Sequence, residues 1–278
     1  MTAGQPAFLG IERSLTGRRW QARLDNARAA QAIAQAHDLP EILGRVLAGR
    51  GVSVAEAEAF LTPTLRTLMP APGSFRDMEK GAARLARAIR DGEAIGIISD
   101  YDVDGVSSAA LMLRFLRAVG SDAAVHIPDR LTEGYGPSQQ AVEALKGQGV
   151  ALLLTLDCGV LSHDPLAHAA HLGLATIIVD HHQASADLPQ AEAVINPNRQ
   201  DDVSGQGHLC AAGVTFILLA ATLRALRHLG HFSAARPEPN LLHWLDLVAL
   251  ATVCDVVPLK GLNRAYVTQG LKVMANRR

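Results

Sequence analysis

Three aspartates in alternate positions, Asp100, Asp102 and Asp104, close the isoleucine-rich run IGIISDYDVDG at 95–105. Like charges this close repel one another, and a cation is the usual remedy. Three more acidic points follow apolar runs elsewhere. Asp157 ends ALLLTLD, Asp180-His181-His182 follows ATIIV, and Asp255 sits inside LVALATVCDVVPL. Carboxylates bridging two ions, with imidazole completing the shell, suit a manganese or magnesium pair. Such a pair activates water and clamps the attacking and leaving oxygens of a phosphoester.

Each candidate has a plainer alternative. Asp102 and Asp104 lie two apart in a turn and can both face one centre, as ligands, or form an acidic loop that binds nothing. Asp100 either ligates a metal or orients its neighbours, and the second role is favoured. Asp157 needs a partner that a helix N-terminus supplies only in part. Asp180 can cap the turn that follows it. Successive side chains diverge, so His181 and His182 divide naturally into one ligand and one phosphate contact. Asp255 is costly in so apolar a segment unless paired or metal-bound, which makes it the last ligand. Arg130, in IPDRLTEGYG, is either a phosphate contact or a surface arginine. His163, His168 and His171 read as a solvated helix face, and Cys158 as a buried thiol with no arranged base.

Positioning these groups requires a parallel sheet. Apolar runs at 95–99, 123–127, 151–156, 175–179 and 193–195 read as strands. Helices are expected between them at 107–119, 138–146 and 165–171, with 80–90 ahead and 211–229 and 241–252 behind. Strand–helix alternation implies a parallel five-stranded sheet with flanking helices, an α/β fold. Parallel strands put their carboxyl ends on one edge, so the acidic groups converge there. Residues 1–75 read as a helical lead-in, including a capping box from Ser53 to Glu56, and 76–278 as the catalytic domain.

Composition narrows the class. The chain has 278 residues, 49% of them hydrophobic, which predicts a globular protein. Net charge is −1 and aromatic content is 4%, so nucleic-acid binding has to come from local patches. Three cysteines without paired spacing point to a reducing compartment, and the expected location is cytoplasmic. No leader and no membrane span is expected.

DYDVDG, LTLDCG, VDHHQ and ATVCDVVPL resemble the successive motifs of the DHH phosphoesterase superfamily. LAGRGVSVAEAEAFLTPTL, IPDRLTEGYG, INPNRQD and LCAAGVTF are similar to segments of its RecJ exonuclease branch. The resemblance implies two ions, Mn2+ or Mg2+, held by Asp102, Asp104, Asp157, His181 and Asp255, with Asp157 bridging. It implies that His182 and Arg130 touch the substrate phosphate. Asp100 and Asp180 are expected, from their places at the strand ends, to support the ligands. Ile97-Ile98-Ser99 stands where the family often has a histidine, which leaves one metal site without imidazole. The implied activity is 5′-to-3′ hydrolysis of single-stranded DNA to 5′-mononucleotides, in repair and recombination. The implied partner is a single-strand-binding protein. The alternatives are a phosphoesterase for short oligonucleotides or other small phosphates, and a non-catalytic scaffold. The motifs of a DHH-associated domain and an OB-fold are not found before Arg278, so the chain is expected to be the N-terminal, catalytic portion of such a protein, as a fragment, a truncated gene product or an isolated catalytic core.

Overall fold

The structure is a computed structural model and describes residues 6–24 and 26–276. Residues 1–5, where the expectation of no leader begins, and Arg277-Arg278 lie outside the described residues. The chain divides into two compact units, Met1–Pro63 and Thr64–Arg278.

The first unit holds helices α1 (Ala27–Ala36), α2 (Glu41–Gly49) and α3 (Ala57–Leu61). Asn26 caps α1 by accepting from the backbone N–H groups of Arg28 and Ala29. The Ser53–Glu56 box forms: Glu56 Oε2 accepts from Ser53 N–H at 3.0 Å, and Ser53 Oγ accepts from Glu56 N–H at 3.3 Å. Ile33, Leu47 and Ala57 are the buried centre of this unit.

The second unit carries the sheet. After α4 (Leu65–Leu68) and α5 (Met78–Asp91) the order is β1 (Ile95–Ser99), α6 (Val103–Ala118), β2 (Ala123–His126), α7 (Gln139–Gly147), β3 (Leu152–Leu156), α8 (His163–His171), β4 (Ala175–Val179) and β5 (Ala193–Ile195). Helices α9 (Ala211–His228), α10 (Leu245–Cys254) and α11 (Gly261–Ala275) follow. The strands pair in parallel in the order β2-β1-β3-β4-β5. Alternate residues face opposite layers. Ile95, Ile97, Leu152, Leu154, Ile177 and Val179 pack into a core shared with α5, α6 and α9, while Ile98, Leu153 and Ile178 pack against α7 and α8.

Helix α9 is long and apolar enough to cross a membrane by length and composition, a span the sequence reading does not expect. Most of its residues are buried within the protein. A helix covered all round by protein is apolar all round for that reason. Helix α6 starts at Val103, four residues ahead of the expected 107, because Asp102 accepts from Gly105 N–H at 3.0 Å and so caps it. Asp104 therefore lies in a helical first turn and not in an open loop. A Cβ on Gly105 would lie 2.4 Å from the Asp100 carbonyl oxygen, so only glycine allows this turn to close.

Candidate metal centre

In an open α/β sheet, ligands gather where strand order reverses, outside the carboxyl ends of the strands. Here the reversal lies between β1 and β3, and their ends carry Asp100–Asp104 and Asp157. The next strand, β4, delivers Asp180, His181 and His182 to the same edge. Asp255 arrives from the C-terminus of α10, where it is the capping residue.

His181 is the meeting point. Its Nε2 lies 3.3 Å from Asp157 Oδ1, 3.7 Å from Asp255 Oδ2 and 3.8 Å from Asp104 Oδ2. Three sets of three potential ligands each have their ligand atoms within 4.8 Å of one another: Asp104, His181 and Asp255; Asp157, His181 and His182; and Asp100, Asp102 and Asp157. Asp157 is common to two of them. The third set is all carboxylate. Asp100, expected to orient its neighbours, stands within ligand range of both Asp102 and Asp157.

The electrostatics of these groups ask for a cation. Asp157 Oδ1, Asp255 Oδ2 and Asp100 Oδ1 are buried and accept no hydrogen bond among the described residues. At 3.3 Å, His181 Nε2 is close to Asp157 Oδ1 yet makes no aligned hydrogen bond with it. Burial pushes the Asp157 carboxyl far above the carboxylate range, and the charges of Asp104 and Asp102 push it further. Burial also raises Asp100 and Asp255. Asp104 is raised by burial too, against the N–H groups of Ala212 and Ala211, which donate to it at 2.9 and 2.6 Å from the first turn of α9. Carboxylates placed together in low dielectric, with bare oxygens aimed inward, fit divalent ions with oxygen and imidazole ligands.

Local backbone serves this geometry. Asp157 adopts φ 61°, a left-handed conformation that costs a non-glycine residue energy and is retained where surroundings enforce it. Tyr135 Oη donates to the Asp157 carbonyl oxygen at 3.0 Å and lies 3.3 Å from His182 Nδ1. Asn196 and Asn198, in the INPN turn after β5, donate to the carbonyl oxygens of His182 at 2.9 Å and His181 at 2.5 Å. Neither asparagine has a role expected from the sequence. Their signal is a pair of amides at alternate positions beyond a strand's carboxyl end.

Asp180 belongs to none of the three ligand sets. Its buried carboxylate accepts from Val160 N–H at 3.0 Å, His181 N–H at 2.7 Å and His182 N–H at 3.1 Å, and it holds His182 Nδ1 at 2.7 Å. Burial pushes Asp180 up, but the bond from His182 and the backbone donors outweigh it and leave the carboxyl below its ordinary value. The same bond raises His182. The His182 side chain is 46% exposed, so its ring faces solvent at the mouth of the centre. Arg130 is exposed and stacks over the Tyr101 ring, 5.5 Å from its centroid, beside the aspartate turn. His163, His168 and His171 stay on α8, where His168 Nε2 meets Glu143 at 3.0 Å. Cys158 is buried, and burial raises its thiol, which suits packing and not nucleophilic attack.

Comparison with known proteins gives the family. The model of the DHH family, N-terminal domain, matches residues 94–252, which include every residue of the site but Asp255. The single-stranded-DNA-specific exonuclease RecJ of Salmonella typhimurium is 39% identical over 236 residues, covering 84% of this chain and 40% of that protein. This chain thus spans well under half the length of that relative. The structure of Thermus thermophilus RecJ in complex with Mn2+ superposes with a TM-score of 0.69 at 29% identity, over 90% of this chain and 34% of that one. The Mg2+ complex from the same organism gives 0.59 at 27% identity, over 90% and 30%. On the family match over residues 94–252, more than half of its length, the chain belongs to the DHH family.

Proposed function

We propose that this chain is the metal-dependent catalytic portion of a single-strand-specific DNA exonuclease. The observation that carries this reading is the convergence of Asp104, Asp157 and Asp255 on His181, with buried carboxylate oxygens left without partners. Asp102, Asp104, Asp157, His181 and Asp255 would hold two ions, Mn2+ or Mg2+, with Asp157 shared between them. Asp100 is the further carboxylate in reach. Bound ions would supply a water nucleophile at neutral pH and neutralise charge on the phosphate.

The protein's own groups orient the substrate. Asp180 occupies His182 Nδ1, which leaves Nε2 as the ring nitrogen for a phosphate oxygen. Arg130 presents a planar donor fork from its perch on Tyr101, suited to a second phosphate oxygen. Digestion from the 5′ end, release of 5′-mononucleotides, a role in repair and recombination, and a single-strand-binding protein as partner rest on similarity to the RecJ exonucleases. The three free cysteines support a reducing, cytoplasmic setting.

The test is manganese-dependent digestion of 5′-phosphorylated single-stranded DNA, beside a duplex, a dinucleotide and pyrophosphate. Mononucleotides released from the single strand by wild type, and none by Asp157→Ala, are expected. Cleavage confined to pyrophosphate or the dinucleotide would replace this reading with a small-substrate phosphoesterase.

A further inference from the structure

The unit Met1–Pro63 carries a groove of about 390 Å3 whose lining includes Arg23, Arg45 and Arg50. Among the described residues no carboxylate lines it, while Phe8, Leu24 and Val46 give it an apolar floor. The arrangement follows from α2. Arg45 and Gly49, like Val46 and Arg50, are one helical turn apart and share a side. Gly49 has open space where a side chain would stand. All three arginines are exposed. Arg45 lies 3.6 Å from Glu41, an exposed pair that holds it weakly, and Arg23 and Arg50 have no carboxylate at ion-pair distance among the described residues. Phe8 is 43% exposed, and its N–H donates to the carbonyl of Trp20, itself 44% exposed.

Three exposed cations with one weak acidic partner among them repel one another, and guanidinium groups in a groove that an aromatic ring also lines suit a phosphate chain with stackable bases. We infer that this groove binds the sugar-phosphate backbone of a single-stranded nucleic acid, at a place other than the metal centre. An acidic protein segment offers the same charge, but the apolar and aromatic floor favours a strand with bases. The inference uses the nuclease reading only for the kind of strand.

The test is equilibrium binding of a fluorescent oligothymidylate of about twenty nucleotides, longer than a single binding site needs, to the full chain in EDTA, where no turnover occurs. Arg23→Gln and Arg50→Gln should each weaken binding about fivefold at roughly 0.1 M salt. Each should also make the slope of log affinity against log salt shallower by about 0.7. Arg→Lys at the same positions should keep the slope. Wild-type affinity in the glutamine variants overturns the proposal. So does an equal loss in lysine and glutamine variants, which would signal packing. So does binding of an acidic peptide that the glutamine substitutions weaken while they leave oligothymidylate binding unmoved. Failure of the nuclease reading would show instead as absent digestion by wild type, whatever the EDTA binding gives.

Discussion

At the site, two groups divide the electrostatic work. Asp157 is buried, left-handed and raised by its surroundings, whereas Asp180 is buried, fully bonded and lowered. The first keeps a bare oxygen for a cation, and the second is saturated by protein donors. Without metal, the folded pKa of Asp157 lies above its unfolded value of about 3.9. Its neutral form therefore contributes stability that is complete below that pH and is lost as pH rises through the folded value. Asp157→Asn removes this loss. In EDTA the variant's advantage in melting temperature should grow between about pH 5 and pH 8, and an advantage constant across that range would refute the cause given. His182 has the opposite exposure, at the mouth of the centre. His182→Ala should lower kcat on single-stranded DNA roughly 10²-fold while manganese affinity by calorimetry stays at the wild-type level. Loss of both together would place His182 among the ligands.

Among the elements, helix ends do most of the positioning. The N-terminus of α9 donates two N–H groups to Asp104, the N-terminus of α6 is capped by Asp102, and the C-terminus of α10 presents Asp255. Just past that last end, Val256 sits at φ 59° with 85% of its surface exposed. This is where helices commonly place glycine, because a β-branched side chain is strained there. Val256→Gly should raise stability by about 1 kcal/mol in denaturant unfolding. Manganese affinity should hold, because the backbone that carries Asp255 keeps its conformation. A loss of stability would mean that Val256 contributes contacts that outweigh its strain.

Over the whole molecule, a net charge of −1 conceals two strong local fields: carboxylates at the sheet edge and arginines in the first unit. Binding of Mn2+ to the folded centre should stabilise the protein by about 2.7 kcal/mol at roughly one hundred times the dissociation constant. Thermal unfolding with increasing manganese reads this, and EDTA should reverse it. An unmoved transition would remove the centre's claim to a metal. The sheet was legible in the chain because its strands are covered on both faces, so they read as short apolar runs between turns, and parallel pairing then sends every acidic run to one edge. The motif residues were legible for the same reason, since charge that interrupts an apolar run needs a partner. Pairing distances were not legible. The approach of Asp255 to His181, the amides of α9 on Asp104 and the INPN clamp join segments 14 to 108 residues apart, and no local pattern encodes such a contact. The left-handed turn at Asp157 and the early start of α6 depend on neighbours that packing supplies. The arginine groove escaped for a related reason: a mean charge sums the chain, whereas a surface sums only the side chains that folding places together.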